Sequence, residues 1–303
     1  MTIPNEDDVD QMAVPDWLGR LLSNPGVERS INSARVNAVL GDLSALERLA
    51  YCNWQLTPNQ SALGGVRDDL LPYTPDGLVG VCLLSWGDAM HASAQLWKAS
   101  GQRTFPMAMG TLMRQAIFAS ATAIWLTSDG DPGELARRIA LAAVKALDNS
   151  RVADQVVRNW SPDGDGKNAL TATIRHKAER AEAVRKEFRL GNLKMPSDTD
   201  IWAHAARAAY PESSQQQARL NLAWREVSGD AHGLVWVPAL RARLRGDTGQ
   251  QSRDNPRRYT ITTTLDTKEY AVLVEDARLL GSLAIKLAIR RGLRASKPVA
   301  LGG

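Results

Sequence analysis

The chain has 303 residues, 44% hydrophobic and 23% charged, which is enough apolar material for one large core and an ordinary globular share of charge. The formal charge is +4, but it is uneven: Glu6, Asp7, Asp8 and Asp10 make the start acidic, whereas Arg241 to Lys297 holds 13 basic against 6 acidic residues, a net +7. A basic region of this kind either attracts nucleic acid or forms a solvated arginine-rich face, and composition leaves both open.

Several classes are excluded at once. The N-terminus lacks the basic and apolar regions of a signal peptide, and no run of about 18 apolar residues appears, so a cytoplasmic protein without a membrane span is expected. There is no G-x-x-x-x-G-K-[ST] loop, no G-x-G-x-x-G and no G-x-S-x-G, which argues against nucleotide-driven motors, dinucleotide-binding folds and α/β-hydrolases. The two cysteines, Cys52 and Cys82, fit no metal or redox spacing and read as buried free thiols. Nine tryptophans against three phenylalanines place bulky indoles at helix seams, where each N–H needs a polar neighbour.

In chain order, residues 1–15 are expected to be a disordered acidic N-terminus, and a short helix is expected over Trp17 to Leu22. Apolar residues at three- and four-residue spacing predict a helix from about Ser30 to Leu56, broken near Gly41. Residues 57–77, with three prolines and three glycines, read as a loop. Two long helices follow, from about Leu78 to Ser100 and from Pro106 to Thr127, rich in Ala, Leu and Met and apolar nearly all round, as in the centre of a bundle. An amphipathic helix is expected from Gly133 to about Trp160. The turn Ser161–Gly166 is not a calcium loop: counted from Asp163, the required Gly and Glu are Asn168 and Ile174.

A charged helix is expected over Ala169–Phe188, a short one over Ile201–Tyr210 started by Ser197 or Asp198, and another started by Ser213 or Ser214. Arg257 to Leu265 carries the strand signal, Thr- and Ile-rich, with a hairpin to Arg253–Asn255 as one solution. Asp266 and Glu269 have capping-box spacing before a last helix to Arg291, closed by Gly292. Residues 296–303 read as a disordered tail. The expected fold is mainly α, a single helical domain over 16–295 with its core at 78–245 and a short β segment near 257–265.

The stretch WREVSGDAHGLVW, Trp224 to Trp236, holds the densest polar chemistry. Seven residues turn a helix through about 700°, so Arg225 and His232 share one stripe with Asn221, Ser228, Gly229 and Trp236, while Asp230 points away. Arg225, six residues, then His232 resembles the Arg-x(4–6)-His motif of the HEPN superfamily, helical domains that include metal-independent RNases of toxin and antiviral systems. The surroundings are similar to those of a bacterial helical family of HEPN-like pattern: His91 in SWGDAMHASAQLW, Arg114-Gln115 through Trp125-Leu126, and Ser228 with His232-Gly233. This likeness spans roughly Leu78 to Leu244. Where that family carries a Glu four residues after the second-helix Arg, this chain has Phe118, so Arg114 needs another partner, such as Asp88.

The resemblance implies RNA as a partner, a homodimer whose histidines converge, and no cofactor or metal. His232 would be the general acid or base, since a histidine ordinarily titrates at about 6.5. Arg225 would hold the phosphate and Ser228 would orient it. Arg241, Arg243, Arg245, Arg257 and Arg258 would grip the backbone, with Trp224 and Trp236 stacking on bases. Asp88, His91 and Arg114 form a polar core or secondary site, and Asp88 and His91 with His232 are the candidate ion-binding set. The competing reading makes Arg225 and His232 a buried, fully hydrogen-bonded seam, in a non-catalytic helical protein that binds a partner or small ligand beside its tryptophans.

Overall fold

The structure is a computed structural model and describes residues 25–56, 73–128, 130–162, 164–232, 250–251, 259–260 and 266–298. The acidic N-terminus, the helix expected at Trp17 to Leu22 and most of the loop expected at 57–77 lie outside the described residues. The described residues form nine helices: α1 Pro25–Gly41, α2 Ser44–Ala50, α3 Pro75–Ala99, α4 Pro106–Thr127, α5 Pro132–Trp160, α6 Asp165–Glu187, α7 Asp198–Ala209, α8 Ser214–Ala231 and α9 Thr267–Arg290. Four strands complete them: β1 Cys52–Leu56, β2 Gln250–Gln251, β3 Tyr259–Thr260 and β4 Leu293–Pro298. The mainly-α reading holds, and none of these helices is long and apolar enough to cross a membrane.

α4 is the axis of the bundle. Every residue from Ala119 to Thr127 is buried, so this helix has no solvent face over its last turns. α3, α5, α7, α8 and α9 pack around it, which is the arrangement that an all-round apolar sequence requires. Ser120 and Thr127 return their hydroxyls to carbonyls of the preceding turn, so burying them leaves neither donor unpaired.

Local chemistry sets the helix ends. The Asp131 side chain accepts from the Glu134 amide and Pro132 follows it at the first helical position, so α5 starts one residue before the expected Gly133. Ser197 with Asp200, and Asp266 with Glu269, form reciprocal capping boxes. Two expectations fail. The helix expected through Leu56 stops at Ala50, and Cys52–Leu56 turns into a strand. Its partner is β4, with Trp54 opposite Ala295 and Leu56 opposite Leu293, so regular structure reaches Pro298, inside the tail for which none is expected. The short β segment expected at 257–265 is present where it is described, as Tyr259–Thr260 paired antiparallel with Gln250–Gln251, and Arg253–Asn255, its suggested hairpin partner, lies outside the described residues.

Two tryptophans match the seam expectation. Trp86 donates its indole N–H to the Ala277 carbonyl of α9 at 2.9 Å, and Trp97 donates to Asn37 of α1 at 2.8 Å. Trp54 and Trp202 are buried with no partner for theirs. The cysteines are free as expected but only partly buried as whole residues; burial pushes the Cys82 thiol up to about 12.

α5, 29 residues long, is the longest of these helices. Its buried residues end at Leu147, and its distal half packs on α6, tied by Lys177 to Asp154 at 2.5 Å and to Ser150 at 2.6 Å. The opposite face of this half exposes Val152, Val156, Val157 and Trp160, the last 84% exposed.

Candidate functional site

α8 starts at Ser213, whose hydroxyl accepts from the Gln216 amide, and runs to Ala231. His232 is the residue where it ends, with φ −96° and ψ 1°. The helix is continuous from Arg225 to that point, so the two side chains lie on one stripe as expected, and both are exposed. Among the described residues neither side chain makes a hydrogen bond or an ion pair. The reading of these two as a buried, bonded seam is therefore corrected.

The opposite side of α8 is buried and acidic. Glu226 and Asp230 face inward, each with a polar partner. Asp230 lies against Gly110 of α4: a methyl at Gly110 would stand 2.7 Å from the Asp230 carboxylate. The missing side chain at Gly110 is what lets the last turn of α8 close onto the bundle axis and fixes where His232 emerges. Ser228, expected to orient phosphate or imidazole, has its hydroxyl enclosed with no hydrogen-bond partner, and its link to His232 is through the backbone, its carbonyl accepting from the His232 N–H at 3.2 Å.

Arg114 does not pair with Asp88. Its guanidinium lies over the Trp224 ring, 5.4 Å from the centroid, and stands 3.7 Å from Asp198. Phe118 stacks with Trp224 at 5.8 Å, and Trp202 stacks with Trp224 at 5.7 Å. The arginine thus has a cation–π partner in Trp224 together with the more distant charge of Asp198. The same packing buries Trp224, which is not available to stack on a base as expected.

Asp88 is exposed and accepts from the Tyr51 hydroxyl at 2.9 Å; His91 is exposed beside Gln95. No three His, Cys, Asp or Glu among the described residues could hold a metal, so Asp88, His91 and His232 are not gathered. Trp236, Arg241, Arg243, Arg245, Arg257 and Arg258 lie outside the described residues.

Sequence reasoning missed one polar cluster. At the end of α4, Ser128 stands 2.5 Å from Nε2 of His204 on α7 and accepts from Arg138 of α5 at 3.1 Å. Arg138 can only donate, so the serine oxygen accepts from it and keeps its own proton and a second lone pair for the imidazole contact. Arg291, after α9, donates to the Thr127 and Ser128 carbonyls, both at 2.9 Å, and so closes the end of α4. With Ser128 and His204 76 positions apart, there is no spacing to read.

His204 titrates below its ordinary range, first through burial and then through the positive charges of Arg138 and Arg207, with Glu134 partly offsetting them. The folded state therefore favours the neutral imidazole. The stability this contributes is full above the ordinary histidine pKa and is lost as pH falls below it. The denaturant midpoint of the wild type should drop between pH 7.5 and 5.5, and the drop should be smaller in His204→Gln. Equal drops in both proteins would remove His204 as a cause.

No family model, no curated protein and no solved structure matches the chain.

Proposed function

We propose that the chain is a metal-independent RNase of HEPN type, acting as a homodimer in a toxin or phage-defence setting. The observation that supports this best is the joint exposure of Arg225 and His232 on one stripe of α8, with no described side chain bonded to either. In this reading a 2′-hydroxyl of the RNA attacks the adjacent phosphorus and the 5′-oxygen leaves, giving a 2′,3′-cyclic phosphate. His232 of one protomer takes the 2′-proton, and its counterpart protonates the leaving oxygen. Arg225 holds the non-bridging oxygens as negative charge builds on them.

The test is cleavage of total RNA and of a tRNA pool in EDTA by wild type and by His232→Ala. Cleavage by the wild type should fall by a factor of at least about 100 in the variant, the usual scale for a proton-transfer group. Because the side chain is exposed, the thermal midpoint should not move. Equal cleavage by both proteins, or none by the wild type, would refute the proposal.

A further inference from the structure

We propose that the cleft between α5, α7 and the connector 188–197 binds a small amphiphilic organic anion, with a carboxylate or sulfonate head and an aromatic or medium-chain aliphatic body. The cleft is about 560 Å³, within the range of small-ligand sites. It is separate from the Arg225–His232 stripe in its lining, and it stands whether or not the chain cuts RNA.

Its shape comes from the connector. Arg189 and Gly191 both adopt left-handed backbone, φ 50° and 53°, and turn the chain back over α5. Arg185 near the end of α6 holds that turn by donating to the Leu193 carbonyl at 3.3 Å. The floor is apolar: Leu141 and Val144 from α5, Phe118 from α4, and Met195 from the connector. Phe118 is itself backed by Trp224, so the floor has a rigid aromatic support.

The rim carries charge of both signs, but the two signs are not equally committed. Asp148 has Arg151 and Arg185, each at 3.7 Å, and Asp198 has Arg114 at 3.7 Å. Lys145 and Lys194 line the same cleft and are exposed. Among the described residues neither has an ion-pair or hydrogen-bond partner. The uncommitted charge of the cleft is therefore positive, next to an apolar floor. A ligand that satisfies both features has one anionic head for the lysines and an apolar body over Leu141, Val144 and Phe118. A neutral apolar ligand leaves the lysines unused, and a nucleic acid would need a longer basic track than two side chains.

Titration of the full chain with anilinonaphthalene sulfonate supplies the test, because this fluorophore has that head and body. One saturable site per chain is expected, with decanoate displacing the dye and 1-decanol failing to do so. Lys145→Ala with Lys194→Ala should weaken binding about tenfold, while circular dichroism and thermal midpoint stay at wild-type values. The exposed stripe on distal α5 is the rival dye site, so Val156→Ser with Trp160→Ala should leave the affinity unchanged. Absence of dye binding, an unaltered affinity in the lysine variant, loss in the stripe variant instead, or equal displacement by 1-decanol would each overturn the proposal. RNA cleavage is read in a separate assay on different residues, so either proposal can fail alone.

Discussion

Gly281→Ala should lower stability by about 3 kcal/mol, seen as a fall of roughly 6–12 °C in the thermal midpoint. Trp86 of α3 is fully buried and lies against α9 at this glycine, donating to the Ala277 carbonyl four residues earlier. A methyl at 281 would fall inside the indole, meeting Cε2, Cζ2 and Nε1. The ring cannot swing away without giving up that carbonyl and moving its buried neighbours. The helices must separate or the indole must leave its rotamer, and either costs packing as well as the hydrogen bond. The usual gain of Ala over Gly in a helix, about 1 kcal/mol, is too small to compensate. In a Trp86→Leu background the same substitution should cost much less, and this coupling is the direct check. A midpoint within about 2 °C of wild type for Gly281→Ala alone would mean that α3 and α9 are joined less tightly than this contact requires.

Arg219→Ala should be nearly as damaging, by about 2–3 kcal/mol near neutral pH. Asp276 on α9 is only 3% exposed, and Arg219 of α8 reaches it at 2.6 Å while remaining 42% exposed itself. An ion pair half in water contributes little by itself. The expected cost comes from what is left behind, a buried carboxylate whose second oxygen already has no hydrogen-bond partner. Burial pushes the Asp276 carboxyl up, against the opposing pull of Arg219, with Glu275 adding to the rise. A carboxyl held above its unfolded value is more stable protonated in the fold, so its favourable contribution is present at low pH and lost as pH rises through the folded value. The deficit of Arg219→Ala should therefore grow from pH 4 to pH 8, as read by denaturant midpoints. Adding Asp276→Asn should recover part of it at the higher pH. A deficit independent of pH, with no recovery in the double variant, would assign the loss to packing of the arginine stem instead.

The helices are legible in the sequence because their signals are local. Pro106 to Thr127 is bounded to the residue, since a proline opens it and a Ser-Asp-Gly run closes it. The capping box at Asp266 rests on contacts three residues apart, which sequence spacing expresses directly. The shared stripe of Arg225 and His232 is likewise a matter of helical period. Their exposure is not legible, because the sequence does not say which face of α8 meets the bundle. That choice is made by Glu226, Val227 and Asp230 packing inward, with Gly110 leaving room.

Interactions within a few residues thus dictate a mainly-α chain, most of its helix limits and the periodic placement of its polar groups. Long-range packing alone makes Cys52–Leu56 a strand, because its partner lies some 240 residues on and pairing there outweighs local helix preference. The same holds for Trp224 inside an aromatic stack with Arg114, for Ser128 on His204, and for two lysines, beside an apolar cleft, that no acid among the described residues pairs. Each depends on which surfaces meet once apolar area is buried, and burial is a property of the packed chain and not of any stretch of it.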